Sequence, residues 1–276
     1  MYRCSVRPFV LAFLLCAAPR AFSAEAVKSD ANQGTSPIEE TPILVPSPIP
    51  VGFLIAWKPS IITVRVDSGK GSQFGSDKLQ PARGLARYTS TLFGEKLLVR
   101  AEIEGGRLQT DTEFNTQLGS DGYDATLHLL GGTAVQILPG LIVIGSAGLL
   151  TRYQYGTHEQ GGVPRIGVIG ATSNAEFEYR LAPVLTFSAF VEGGITPFPY
   201  GADASLGDLS DASEFRLRMQ LSLDISPKAA VDIGYDFTRW HASFARTTQL
   251  GNPNPDQALL ISTKDYALTI GLRWKP

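Results

Sequence analysis

From Val51 to the C-terminus, apolar and polar side chains alternate with a period of two, which is the pattern of β-strands presenting two different faces. The clearest stretch is the last: Tyr266, Leu268, Ile270, Leu272 and Trp274 alternate with Ala267, Thr269, Gly271 and Arg273. Phe215, Leu217, Met219, Leu221, Leu223 and Ile225 alternate in the same way with Arg216, Arg218, Gln220, Ser222 and Asp224. Val231, Ile233, Tyr235 and Phe237 oppose Asp232, Gly234, Asp236 and Thr238. Less regular copies run through 97–104, 123–137 and 176–181, several of them interrupted by glycine, as is common where strands curve.

These runs predict strands near 51–66, 84–93, 97–109, 123–137, 141–154, 164–180, 184–197, 213–225, 229–244 and 261–274. The connections between them differ in a regular way. Short ones fall at Phe93-Gly94-Glu95-Lys96, Leu138-Pro139-Gly140, Leu181-Ala182-Pro183 and Ser226-Pro227-Lys228. Long polar ones fall near 67–83, 110–122, 155–163, 198–212 and 245–260. Short turns at one end and long loops at the other are the layout of a membrane-spanning barrel. The expected fold is therefore all-β: a single antiparallel up-and-down transmembrane β-barrel over 51–276, of about ten strands, with eight or twelve as alternatives. Both chain ends are then expected on the short-turn side. Trp57-Lys58-Pro59 should bend or end a strand, because proline cannot donate to a ladder.

Residues 1–50 do not follow this pattern. Arg3 and Arg7 precede an apolar run from Phe9 to Ala18, which Pro19 and Arg20 close, and small residues follow at Ala21, Ser23 and Ala24. This reads as a secretory signal peptide over 1–23, cleaved after Ser23, with Ala24 or Ala26 as nearby alternatives; the run is too short to span a bilayer. Leu15 stands where a lipidated Cys16 would need a small residue, which argues against a lipoprotein. Residues 24–50 end in TPILVPSPIP and read as a proline-rich periplasmic lead in an extended conformation.

Composition narrows the chemistry. Both cysteines, Cys4 and Cys16, lie in the segment expected to be removed, so disulfides, thiolate metal sites and cysteine nucleophiles are not expected in the remainder. The removed segment holds three of the 24 basic residues and no acid, leaving 21 against 26 acidic ones, and nucleic acid is not an expected partner. His128, His158 and His241 lack metal-ligand spacing, and the paired glycines do not stand between a strand and a helix. No cofactor and no metal are expected.

A membrane barrel turns its apolar face to lipid and its polar face inward. The polar phase supplies the expected lumen-facing charges: Arg65, Arg87, Arg100, Arg152, Arg216, Arg218 and Arg273, with Glu102, Glu104, Asp124, Glu176, Glu178, Glu192, Asp224, Asp232 and Asp236. Tyr153, Tyr155, Tyr235, Phe237, Trp240, Phe244, Tyr266 and Trp274 lie near strand ends and are expected to form interfacial girdles. A narrow barrel filled with paired charges is expected to be plugged, or to leave a small pore.

The segment YALTIGLRW, residues 266–274, resembles the terminal β-signal of Gram-negative outer-membrane proteins, in which alternating apolar residues end in an aromatic. Here Lys275 and Pro276 follow that aromatic. The resemblance implies an outer-membrane location, outer-membrane lipid as surroundings and the barrel-assembly machinery as a partner in biogenesis. A structural, surface-interaction or narrow-channel role follows as the first expectation, with no catalytic residue assigned. Two alternatives remain open. One is a barrel-embedded hydrolase of lipid or peptide using rim residues such as Asp236, His241 and Ser243, or His158 with Glu159. The other is a soluble periplasmic β-barrel that binds an apolar ligand inside.

Overall fold

The computed structural model describes residues 51–276 apart from 69–70, 94–96, 110–120, 157–164, 201–206 and 246–258. The signal peptide and proline-rich lead expected over 1–50, and His158 with Glu159, lie outside the described residues. Twelve strands follow in chain order: β1 (Gly52–Trp57), β2 (Ser60–Ser68), β3 (Gly71–Gln80), β4 (Arg83–Leu92), β5 (Leu97–Gln109), β6 (Asp121–Leu138), β7 (Leu141–Gly156), β8 (Ile166–Ala182), β9 (Leu185–Pro199), β10 (Asp208–Ser226), β11 (Ala229–Ala245) and β12 (Leu259–Trp274).

Ten of them, β1 and β4 to β12, close into an antiparallel barrel. From β4 onward each strand pairs with the next, and β1 seals the ring by pairing with both β4 and β12. Strands β2 and β3 are continuations of β1 and β4. Trp57 lies opposite Ile270 and Ser60 opposite Ala267, so β2 keeps the register of β1 along β12. The break between them is local, because Pro59 has no N–H to give. Its carbonyl still accepts from the Leu268 N–H at 3.1 Å, and the Lys58 N–H reaches the Arg83 carbonyl at 3.0 Å. On the neighbouring path Pro81 separates β3 from β4.

This corrects the long connection expected over 67–83: β3 is a ladder strand, paired with β2 from Ser60 opposite Gln80 to Ser68 opposite Gly71. Its sequence, GSQFGSDKLQ, is mostly small and polar, and its two large apolar residues, Phe74 and Leu79, fall on opposite phases, so it carries no alternation to detect. The turns at the other end are tight, as expected. Gly140 takes a φ of 80° between β6 and β7, a left-handed conformation open to glycine at little cost.

Burial follows the two phases of each strand. Strand β10 reads exposed or half-exposed at Phe215, Met219, Leu221 and Leu223, while Glu214, Arg216, Arg218, Gln220 and Ser222 are buried between them. On β12 the outward set is Tyr266, Leu268, Ile270 and Trp274, 40–47% exposed, and the inward set includes Ala267 and Thr269 at 1%. The barrel is thus the reverse of a water-soluble one: its outer wall is apolar and its ionic side chains are sealed inside.

Candidate functional site

The interior is the candidate site, since it gathers most of the buried charge. Inward parity brings side chains from every part of the ring to one axis. Arg216 on β10 donates to Glu102 and, at 2.6 Å, to Glu104, both on β5. Arg218, two residues on, bonds both carboxylate oxygens of Glu102 at 3.0 Å and Asp236 of β11 at 2.6 Å. Arg87 of β4 approaches Glu102 from the other side at 2.5 Å. One carboxylate therefore holds three guanidinium groups from two opposite walls. Asp236 also accepts from the Thr269 hydroxyl at 2.9 Å, which ties β12 to the same centre. Arg216 and Arg218 lie 5.9 and 5.6 Å from the Phe190 ring, so that buried aromatic adds a favourable face to the two cations.

Satellite pairs surround this hub. Arg100 lies 2.7 Å from Glu176, and Arg152 lies 3.1 Å from Glu214 and 3.9 Å from Asp124. Arg273 bonds Asp232 at 2.7 Å nearer the short-turn end, and Lys275 pairs with Asp224 there. The His128 Nδ1 sits 2.8 Å from Glu192, which also accepts from the Thr172 hydroxyl at 2.6 Å. His128 is therefore part of a hydrogen-bonded row, and among the described residues no cluster of His, Cys, Asp or Glu is arranged to hold a metal ion.

The sixteen charges expected to face the lumen can now be placed. Arg87, Arg100, Glu102, Glu104, Asp124, Arg152, Glu176, Glu178, Glu192, Arg216, Arg218, Asp232 and Asp236 are all buried within the barrel. Arg273 and Asp224 are half-exposed, with side chains 13% and 30% accessible at the short-turn end. Arg65 is a correction: it is exposed, on the same outward phase as Ile61. In this strand both phases are rich in aliphatic residues, and parity is decided by Leu54, Ala56 and Lys58, which carry their inward phase unbroken into Ser60, Ile62 and Val64.

Four buried charges were not anticipated. Lys58 is 1% exposed and lies 2.7 Å from Glu104; Arg83 pairs with Asp124 and lies 3.6 Å from Asp265; and Glu214 receives Arg152. Arg83 sits just beyond the expected strand 84–93 and Glu214 next to the start of 213–225, whereas Lys58 and Asp265 lie within 51–66 and 261–274. Extending the alternation by two residues would have found Glu214 from Arg216, and Asp265 from Ala267.

Two expected girdle aromatics are also corrected. Trp240 and Phe244 are 1% and 0% exposed and pack inside the barrel with Ile166, Val168, Ala212, Ala242 and Ile261. They share the parity of Asp236, and strict alternation from that residue turns them inward. Together they form an apolar stopper between the ionic hub and the long connections, with the Arg152 guanidinium 5.1 Å from the Trp240 ring. Tyr155, Tyr235, Tyr266 and Trp274 do face outward, at 40–45% exposure.

Beside the hub, a cavity bounded by Leu54, Arg87, Arg100, Glu176, Glu178 and Arg273 measures about 10 Å³, room for roughly one water molecule. On the outer wall, His241 Nδ1 lies 3.1 Å from the Ser213 hydroxyl, and Nε2 lies 3.4 Å from Asp211, whose side chain is 66% accessible. The rim set Asp236, His241 and Ser243 is not brought together: Asp236 is inside and bound to Arg218.

A closed ten-strand barrel with an apolar exterior and an ion-paired interior is thus the class to which this chain belongs. No protein-family model matches the sequence and no curated protein is significantly similar to it. Among solved structures it is similar to the outer membrane protease OmpT from Escherichia coli, at 12% identity and a TM-score of 0.42, over 80% of this chain and 96% of that one. It is also similar to an outer membrane channel from Pseudomonas putida F1, at 12% identity and a TM-score of 0.37, over 80% and 96%. The translocator domain of the autotransporter NalP from Neisseria meningitidis gives 10% identity and a TM-score of 0.37, over 82% and 89%. At such distances no residue correspondence follows.

Proposed function

We propose that this chain is an outer-membrane β-barrel that acts as a sealed scaffold, holding its long connections and the β2–β3 hairpin at the cell surface rather than conducting solute. The lipid-facing part of this reading is supported by an outer wall of Phe53, Ile55, Leu129, Leu149, Phe177, Leu221, Leu268 and similar residues, each 40–53% exposed. In water such a continuous apolar surface would drive aggregation, and in a bilayer it needs no cover. The short turns are assigned to the periplasmic side and the long connections to the outside, following the usual asymmetry of such barrels.

The observation that carries the sealed-scaffold reading is the Glu102 hub. It spans the lumen from β4 and β5 to β10, with the Trp240 stopper stacked beyond it. A diffusion channel of this size would need a polar but empty bore; here the charged groups of the hub are spent on one another across it. Of the residues the sequence offered for a hydrolase, Asp236, His241 and Ser243 are not assembled and the contacts His241 does make involve a widely exposed acid, while His158 with Glu159 lies outside the described residues.

The test is electrical. Purified full-length protein inserted in a planar bilayer is expected to give a stable baseline without conductance steps. Reproducible channel-sized steps, abolished when the protein is heat-denatured before addition, would contradict the sealed interior.

A further inference from the structure

We propose that the outer wall carries a docking site for the phosphate of a lipid headgroup, formed by Arg239 on β11 and Lys264 on β12. The two residues are directly opposite each other in the β11–β12 ladder, both are exposed, and both point away from the lumen. Side chains so placed have Cβ atoms about 5 Å apart, and like charges in that position repel. Among the described residues neither makes an ion pair or a side-chain hydrogen bond. The interior cations Lys58, Arg83, Arg87, Arg216 and Arg218 are, by contrast, all paired. Two adjacent unpaired cations at the edge of the apolar wall call for an external anion.

Their neighbours describe what kind of anion. On one side lies an aromatic shelf: Phe215 is directly opposite Arg239, the Phe215 and Phe237 rings are 6.4 Å apart, and the Phe237 and Tyr266 rings are 5.1 Å apart. On the other side, toward the long connections, the next outward row is Ser213, His241 and Ser262, which offers hydroxyl and imidazole hydrogen-bonding groups. The order along the wall is therefore apolar, then cationic, then polar. One outward row further along β10, Asp211 is engaged with His241.

Depth agrees with this order. Lys264 is ten residues from Trp274 along β12, and every outward residue from Tyr266 to Trp274 is apolar or aromatic. At about 3.3 Å per residue and a strand tilt of about 40°, that run rises roughly 25 Å along the barrel axis, the height of the lipid-facing band. The pair then stands at headgroup level in the leaflet on the long-connection side. A phosphomonoester or phosphodiester there meets both cations while its acyl chains lie along the aromatic and aliphatic wall. This inference rests on the lipid-facing reading above and adds a ligand to it.

The test uses the full chain in a neutral detergent and three probes: a bisphosphorylated acylated glucosamine disaccharide, the same lipid with its phosphates removed, and inorganic phosphate. Lipid retention is read by native mass spectrometry, and folding by heat-modifiable gel migration. Wild type is expected to prefer the phosphorylated lipid by about tenfold or more, as two charge-assisted contacts allow. The double variant Arg239→Gln/Lys264→Gln should lose that preference while keeping its heat-modifiable shift. Lys228→Gln, a cation at the short-turn end, should keep the preference, as should the charge-preserving swap Arg239→Lys/Lys264→Arg. A folded double variant that still prefers the phosphorylated lipid overturns the site. So does inorganic phosphate competing as well as the lipid, which would mark a free-anion site. A wild type that shows neither heat-modifiable migration nor a need for detergent overturns the lipid-facing reading itself; a wild type that shows both but lacks the preference overturns the phosphate site alone.

Discussion

Parity is the rule that places individual residues in this molecule, and it succeeds wherever the polar phase is unmistakable. Arg216 and Arg218 with Glu102 and Glu104 were legible from alternation alone, and they form the hub. Where both phases are aliphatic, as around Ile61, Ile62, Val64 and Arg65, alternation has two solutions and only the continuation from Lys58 selects one. Trp240 and Phe244 illustrate a different failure: an aromatic near a strand end is at home in a girdle and in a core alike, so residue type misleads where parity does not. No sequence signal says which cation meets which carboxylate, because Glu102 and Arg218 are 116 positions apart and are joined only by barrel closure. The central role of Glu102 has a measurable consequence. Glu102→Ala leaves Arg87, Arg216 and Arg218 short of a shared acceptor in a buried setting, and should lower stability by about 3–5 kcal/mol. Urea unfolding in lipid vesicles checks this; a loss below about 1 kcal/mol would show the hub to be dispensable.

At the scale of strands, alternation located every stave of the closed ring, but it understated their length. Strand β10 begins at Asp208 and β8 runs to Ala182, because ladder pairing continues past the point where side-chain contrast fades. The β2–β3 hairpin was legible only in its first strand, since the two large apolar residues of β3, Phe74 and Leu79, fall on opposite phases. Glycine also acts at this scale, by permitting close approach of neighbouring strands. A Cβ at Gly148 would stand 1.9 Å from the Leu129 carbonyl oxygen, whereas one at Gly145, three residues earlier on β7, would meet nothing within 4 Å. Gly148→Ala must push β7 away from β6 and should cost about 1–3 kcal/mol, with slower folding into vesicles. Gly145→Ala should stay within about 0.5 kcal/mol of wild type. Equal stabilities for the two variants would contradict a close approach of β6 and β7 at Gly148.

For the whole molecule, everything turns on which surface of the sheet faces lipid. The mature chain expected after removal of residues 1–23 has no cysteine, so single cysteines can report on each position in turn. The most direct measurement places a fluorophore on cysteines introduced one at a time at Ala267, Leu268, Thr269 and Ile270, in vesicles containing brominated lipid. Leu268 and Ile270 are 47% and 40% exposed on the outer wall, while Ala267 and Thr269 are 1% exposed inside. Strong quenching by bromine at 268 and 270, with weak quenching at 267 and 269, is the expected result. Quenching at 267 and 269 instead, or no alternation at all, would contradict a barrel that shows lipid its apolar face and keeps its ions within.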